Sequence, residues 1–179
     1  MFIFENELEI AEELLENIYL LEQFNEEVFI QKANIQPGQH VLINGAGGCI
    51  GTYAIQLAKA AGAEVTAIDS AAKLDMLQSI GADHVIDYRQ EDFTRNGVQY
   101  DVIFDIIGKT SFSRMVKSLN PHGVLLIANP RLHLMLRGFW ISKTTNKTIL
   151  NGVVKYEIEV IEHLKTLIEA GTLKAVIDR

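Results

Sequence analysis

The sequence predicts a doubly wound α/β domain built on a parallel sheet, and three observations carry that prediction. Short apolar, β-branched runs alternate with helical patterns along the chain, which calls for right-handed crossovers and helices on both sheet faces. The first run, Val41-Leu42-Ile43, stops at a glycine cluster, Gly45-Ala46-Gly47-Gly48-Cys49-Ile50-Gly51. Small and apolar residues at helical spacing then take over, namely Ile50, Ala54, Leu57, Ala58 and Ala61. That is the pattern of a buried strand, a tight turn and a helix whose N-terminus faces the turn.

Each glycine of the cluster has its own job. Gly45 lets the chain turn sharply off the strand, Gly47 or Gly48 lets a diphosphate approach the backbone, and Gly51 lets the helix pack close to the sheet. The first N–H groups of that helix, with the positive end of its dipole, make an anion site. The spacing departs from a strict G-x-G-x-x-G, because Ile50 stands where the third glycine would fall. The register that fits is Gly45-x-x-Gly48-x-x-Gly51, with Gly47 extra.

Ahead of the turn, Asn6 to Ala33 has no proline or glycine and is dominated by glutamate and leucine, so a helix is expected. Ala11, Leu14, Ile18, Leu21, Asn25 and Val28 step by three and four, an apolar seam with one polar member. It either lies on a domain surface or pairs with a second copy, Asn25 setting the register. Pro37-Gly38 ends this element. The expected units are therefore an acidic helical leader over 1–36 and the main α/β domain over 37–179.

Charge follows the same division. The chain of 179 residues carries −7 overall. Residues 1–36 hold nine glutamates against Lys32 alone, a net −8, which leaves +1 for the remainder. A nearly neutral main domain has no electrostatic footprint for nucleic acid. No apolar stretch reaches the ~20 residues that span a bilayer, and Glu5, Glu7 and Glu9 interrupt any signal-peptide pattern. Cytoplasm is the expected compartment. Cys49 is the single cysteine, which rules out an internal disulfide or a cysteine-cluster metal site. The five histidines (His40, His84, His122, His133, His163) are scattered without ligand spacing, so no metal, zinc included, is assigned.

Beyond the first helix, Glu64 to Asp69 reads as a second buried strand ending in an acid. Asp69 lies at about the ~20-residue offset from the glycine turn where a carboxylate accepts hydrogen bonds from an adenosine ribose. The same charge repels a 2′-phosphate and so favours NAD over NADP. Against that, Lys73, Tyr88 and Arg89 stand where they could hold a phosphate. Lys73 to Ile80 is a helix stopped by Gly81, His84 to Asp87 a third strand and Asp101 to Asp105 a fourth. Ser111 to Leu119 is a helix ended by Asn120-Pro121, and Val124 to Ala128 a fifth strand as apolar as a central parallel strand should be. Arg131 to Asn146 is a core-facing helix or, alternatively, a lid or partner surface. Thr148 to Val154 is a sixth strand at an exposed sheet edge, Glu157 to Ala170 a helix, and Leu173 to Ile177 a last extended piece. The strand-end turns Gly45–Ile50, Asp69-Ser70, Ile107-Gly108-Lys109 and Asn129-Pro130 converge on the edge where such sheets bind ligands.

These features coincide with Pro37-Gly38 before the first strand, Ser79-Ile80-Gly81-Ala82-Asp83-His84-Val85-Ile86-Asp87-Tyr88, Asp105-Ile106-Ile107-Gly108, and Ile168-Glu169-Ala170-Gly171 with Val176-Ile177-Asp178. Together they resemble the cofactor-binding domain of medium-chain dehydrogenase/reductases, in the zinc-type alcohol dehydrogenase-like and quinone oxidoreductase-like branch, over roughly 34–179. The resemblance implies a Rossmann fold of six strands and hydride transfer between NAD(P)H and a carbonyl, alcohol or activated alkene. It implies that Gly48, Cys49 and Ile50 meet the pyrophosphate through backbone, and that Asp69, Lys73 and Tyr88 surround the adenosine ribose. Ile107, Gly108, Ala128 and Asn129 would run along the cofactor toward the nicotinamide. Members of the family carry a GroES-like catalytic domain ahead of this unit, where the present sequence has its acidic helix. The expectation is therefore a nicotinamide-dinucleotide-binding half that pairs with a copy of itself or with a separate catalytic domain. The rival is a non-catalytic dinucleotide-binding or interaction module from a truncated gene.

Overall fold

The computed structural model describes residues 33–128, 132–151, 173, 174 and 176. Its elements are β1 (His40–Asn44), α1 (Cys49–Ala60), β2 (Glu64–Asp69), a 3₁₀ turn (Ala71–Lys73), α2 (Leu74–Ser79) and β3 (His84–Asp87). Then follow β4 (Tyr100–Asp105), α3 (Phe112–Lys117), β5 (Leu119–Ile127), α4 (Leu132–Thr144) and β6 (Thr148–Asn151). The strands form one six-stranded sheet in the order β3-β2-β1-β4-β5-β6, every neighbouring pair parallel. The winding runs outward from β1 to β3, then restarts at β4 on the other side of β1. The crevice outside the carboxyl ends of β1 and β4 is thus the topological switch point.

Both faces of the sheet are buried, as continuous apolar strands require. Val41 and Ile43 of β1 join Val65, Ala67, Val102 and Phe104 on one face, under Ala54, Ile55 and Ala58 of α1 and Leu77 of α2. Leu42, Ile68, Ile103, Leu125 and Ile127 line the other, under Phe112 and Met115 of α3.

Three sequence expectations need correction or narrowing. The helix expected to run from Ser111 to Leu119 stops at Lys117, and Asn120-Pro121, expected to end it, lies inside β5. Proline has no N–H for a ladder and is tolerated in sheets at irregularities. The β4–β5 ladder slips there, the partner jumping from Leu119 to Val124 as β4 advances from Tyr100 to Val102. Asn120 Nδ2 donates instead to Asp101 Oδ1 at 2.8 Å. Second, α4 faces the core on a narrow strip only. Leu134 and Ile141 pack inward, while Leu136, Phe139 and Trp140 are 62%, 62% and 69% exposed. Third, the piece expected as extended over Leu173 to Ile177 makes no strand at its described residues. The buried Gln56 side chain takes the place of a strand partner, its Nε2 donating to the Lys174 carbonyl at 3.0 Å and its Oε1 accepting the Lys174 N–H at 2.7 Å.

Of the helix expected over Asn6 to Ala33, Ala33 alone falls among the described residues, and it is helical. The helix over Glu157 to Ala170 and the end of the sixth strand lie outside them, as does the 1–36 leader apart from its last four residues. β6 stands at one edge of the sheet. Among the described residues no helix is long and apolar enough to cross a membrane.

Lys59 near the end of α1 ties that helix to the sheet. Its Nζ reaches Asp83 Oδ1 and Oδ2 at 2.9 and 2.8 Å, and Asp83 Oδ2 also accepts the Val65 N–H at 2.7 Å. Partial burial opposes the Asp83 charge, but the Lys59 and Val65 hydrogen bonds outweigh it and hold the carboxyl below its ordinary value. A depressed folded-state pKa adds stability above the unfolded value of about 4, lost as pH falls through the lower folded value. Because the pair is about a third exposed, Asp83→Asn is expected to cost only about 1 kcal/mol at pH 7. The difference should shrink as pH falls below about 4 and vanish only once it has passed the lower folded value, as urea unfolding at a series of pH values would read.

Candidate functional site

The site is built where β1, β2, β4 and β5 end. Gly45 leaves β1 at φ +93, in the left-handed region that a side chain disfavours. A Cβ there would lie 2.6 Å from Ile107 Cγ1, so Ile107 rests directly on the turn. The Gly45 and Ala46 N–H groups both donate to the Ile68 carbonyl at 3.0 Å, which pins the turn to β2. Gly51 meets the same turn from α1, where a Cβ would fall 2.5 Å from Ala46 Cα and from the Ala46 carbonyl oxygen.

Gly47 and Gly48, left as alternatives by the sequence, have different surroundings. Gly47 is buried, and its N–H donates to Asp69 Oδ2 at 2.8 Å while its carbonyl accepts Lys73 Nζ at 2.7 Å. A Cβ on Gly47 would collide with the Lys73 and Asp69 side chains. Gly48 is exposed and caps α1 in an extended conformation (φ −95, ψ 173) with no side-chain cap. A Cβ on Gly48 would meet nothing nearer than the Gly45 carbonyl oxygen at 4.0 Å. Packing inside the chain therefore explains the glycine at 47, 45 and 51, but not at 48. Cys49 and Ile50 follow half-buried in a first turn that contains no acid.

Asp69 ends β2, with Oδ1 accepting the Ser70 N–H at 2.8 Å and Oδ2 turned to Gly47. Tyr88 joins the group through its backbone, donating N–H to the Asp69 carbonyl at 3.2 Å. Its ring is 53% exposed and lies 5.5 Å from the Arg89 guanidinium, whose Nε donates to the Tyr88 hydroxyl at 3.3 Å. Ile107 and Gly108 form the wall after β4, and Ala128 follows β5, its N–H on the Asp105 carbonyl at 3.0 Å. Asn129 lies outside the described residues. Among the described residues no cluster of histidine, cysteine or acid side chains is arranged to hold a metal ion.

Two residues given no role in the sequence reading complete the floor. Asn44 and Asp105 stand in register across β1 and β4. Asn44 Nδ2 donates to Asp105 Oδ1 at 2.8 Å and to Thr110 Oγ1 at 3.1 Å. Asp105 is 1% exposed, and burial pushes its carboxyl above the ordinary aspartate value despite hydrogen bonds from the Gly108 backbone and Asn44. Polar residues closing two apolar strands were the available signal, but only pairing of β1 with β4 makes them neighbours.

Comparison with known proteins agrees with this fold. The family model described as zinc-binding dehydrogenase matches residues 49–130. A zinc-type alcohol dehydrogenase-like protein of Schizosaccharomyces pombe is 29% identical over 164 residues, covering 85% of this chain and 47% of that protein. The chloroplastic quinone-oxidoreductase QR1 of Triphysaria versicolor is 31% identical over 147 residues, covering 79% and 45%. The solved quinone oxidoreductase of Coxiella burnetii shares the fold with a TM-score of 0.77 at 24% identity, covering 88% of this chain and 50% of that one. The chain thus spans about half the length of the curated relatives it matches. With the sheet order, the glycine turn and these matches in agreement, the chain is similar to the cofactor-binding domain of the medium-chain dehydrogenase/reductase superfamily.

Proposed function

We propose that this chain binds a nicotinamide dinucleotide and serves as the cofactor-holding half of an oxidoreductase acting on a carbonyl, alcohol or activated alkene. The observation that carries this reading is Gly48, a glycine that internal packing does not require, opening the uncapped N-terminus of α1 to the cleft. A diphosphate fits there, since first-turn N–H groups lack intrahelical acceptors and the helix dipole favours an anion. Gly48, Cys49 and Ile50 would meet it through backbone, and Asp69 one crossover away would take the adenosine ribose hydroxyls. Ile107, Gly108 and Ala128 would line the path toward the nicotinamide. Hydride chemistry is what the bound dinucleotide supplies, and the chain's share is to orient it and exclude water. The exposed row Leu136, Phe139 and Trp140 fits cover by a second chain, whether a copy or a catalytic partner.

NAD is the preferred form in this reading. The Asp69 carboxylate is fixed by two backbone N–H groups at the mouth of the ribose site, while Lys73 is drawn to the Gly47 carbonyl and Arg89 to Tyr88. In a thermal-shift titration NADH at a hundred times its Kd should stabilise the chain by ~2.7 kcal/mol over the ligand-free protein, and NADPH at the same concentration by less. Asp69→Ser should move the NADH-to-NADPH affinity ratio about tenfold toward NADPH, or ~1.4 kcal/mol. A folded chain that responds to neither nucleotide would overturn the reading.

A further inference from the structure

The turn after β4 is held from below by an acid in an expensive place. Asp105 is almost wholly buried, and its Oδ2 has no hydrogen-bond partner among the described residues. Enclosing a carboxyl this way costs stability that an apolar residue would not. Its Oδ1, by contrast, is fully used, accepting Asn44 Nδ2 at 2.8 Å and the Gly108 N–H at 3.2 Å. Gly108 sits at φ +70, in the left-handed region. In the bend just before it Ile107 stands 43% exposed, with its side chain on Gly45. The same pair joins three strand ends, because the Asn44 carbonyl accepts the Ile106 N–H at 3.1 Å and the Asp105 carbonyl accepts the Ala128 N–H at 3.0 Å.

We propose that Asp105 is a positioning residue: by gripping Gly108 and Asn44 it seats Ile107 on the glycine turn and so sets the wall of the dinucleotide groove. This inference rests on the dinucleotide reading above. The hold needs an oxygen acceptor at Oδ1 and nothing at Oδ2. Asparagine therefore suffices at 105 and alanine does not.

The test has two readouts on the full chain. In the ligand-free protein, hydrogen exchange at the Gly108 amide should speed up about tenfold in Asp105→Ala and stay near the parent rate in Asp105→Asn. In NADH titrations Asp105→Ala should raise the Kd about tenfold, Asp105→Asn should recover most of that loss, and Asp105→Ala should add nothing in an Ile107→Ala background. If Asp105→Ala does not fold, Asp105→Ser replaces it, its hydroxyl being too short to bridge Asn44 and Gly108. Unchanged Gly108 exchange, an Asp105→Asn chain as weak as Asp105→Ala, or additive effects of positions 105 and 107 would each overturn the proposal. A parent chain that binds neither NADH nor NADPH would instead sink the dinucleotide reading, while the exchange measurement still decides whether Asp105 holds the turn.

Discussion

Gly51→Ala is expected to destabilise the chain by about 3 kcal/mol, the upper end of the usual over-packing cost. The added methyl would lie 2.5–2.6 Å from Ala46 Cα, O and C, all backbone atoms that cannot rotate away. Ala46 is itself fixed by its N–H to Ile68, so the strain must be relieved by moving α1 off the sheet. The helix-propensity gain of alanine over glycine, ~1 kcal/mol, offsets only part of this. For a chain of this size the loss corresponds to a fall in Tm of roughly 6–12 °C. Urea midpoints for parent and variant decide it: equal stability would mean that α1 does not rest on the Ala46 turn.

Gly48→Asp should move stability and binding in opposite directions. Gly48 already has the extended backbone of an N-cap, and a Cβ there enters open space. An aspartate can therefore cap the first turn of α1 and interact with its dipole, adding about 0.5–1 kcal/mol. The same carboxylate occupies the groups proposed for the diphosphate and repels its charge. Dinucleotide affinity should drop by about a hundredfold, ~2.7 kcal/mol. Calorimetric titration beside thermal unfolding reads both halves. A variant that is more stable and binds NADH as well as the parent would remove the diphosphate from the N-terminus of α1.

The contrast between these two glycines shows how far the sequence could be read. The strands Glu64–Asp69 and His84–Asp87 were legible to the residue, because short apolar runs bounded by turn residues have few other uses. The β4–β5 junction was not. Asn120-Pro121 reads locally as a helix stop, yet the side-chain bond from Asn120 to Asp101 and the slipped register place it in a strand. The apolar density of α4 was equally visible, but which side of it would be covered was not.

Alternating strand and helix periods, the glycine turn and an acid at the next strand end determined by themselves the class of fold and the sheet edge on which the strand-end turns converge. These are local signals, carried by neighbours within a few residues. Only the tertiary structure decided that Gly47 is closed over by Asp69 and Lys73 while Gly48 stays open, and that Asn44 meets Asp105 beneath Ile107. Those contacts join residues 22 to 61 positions apart. Their existence depends on sheet order and register, which no stretch of sequence specifies alone.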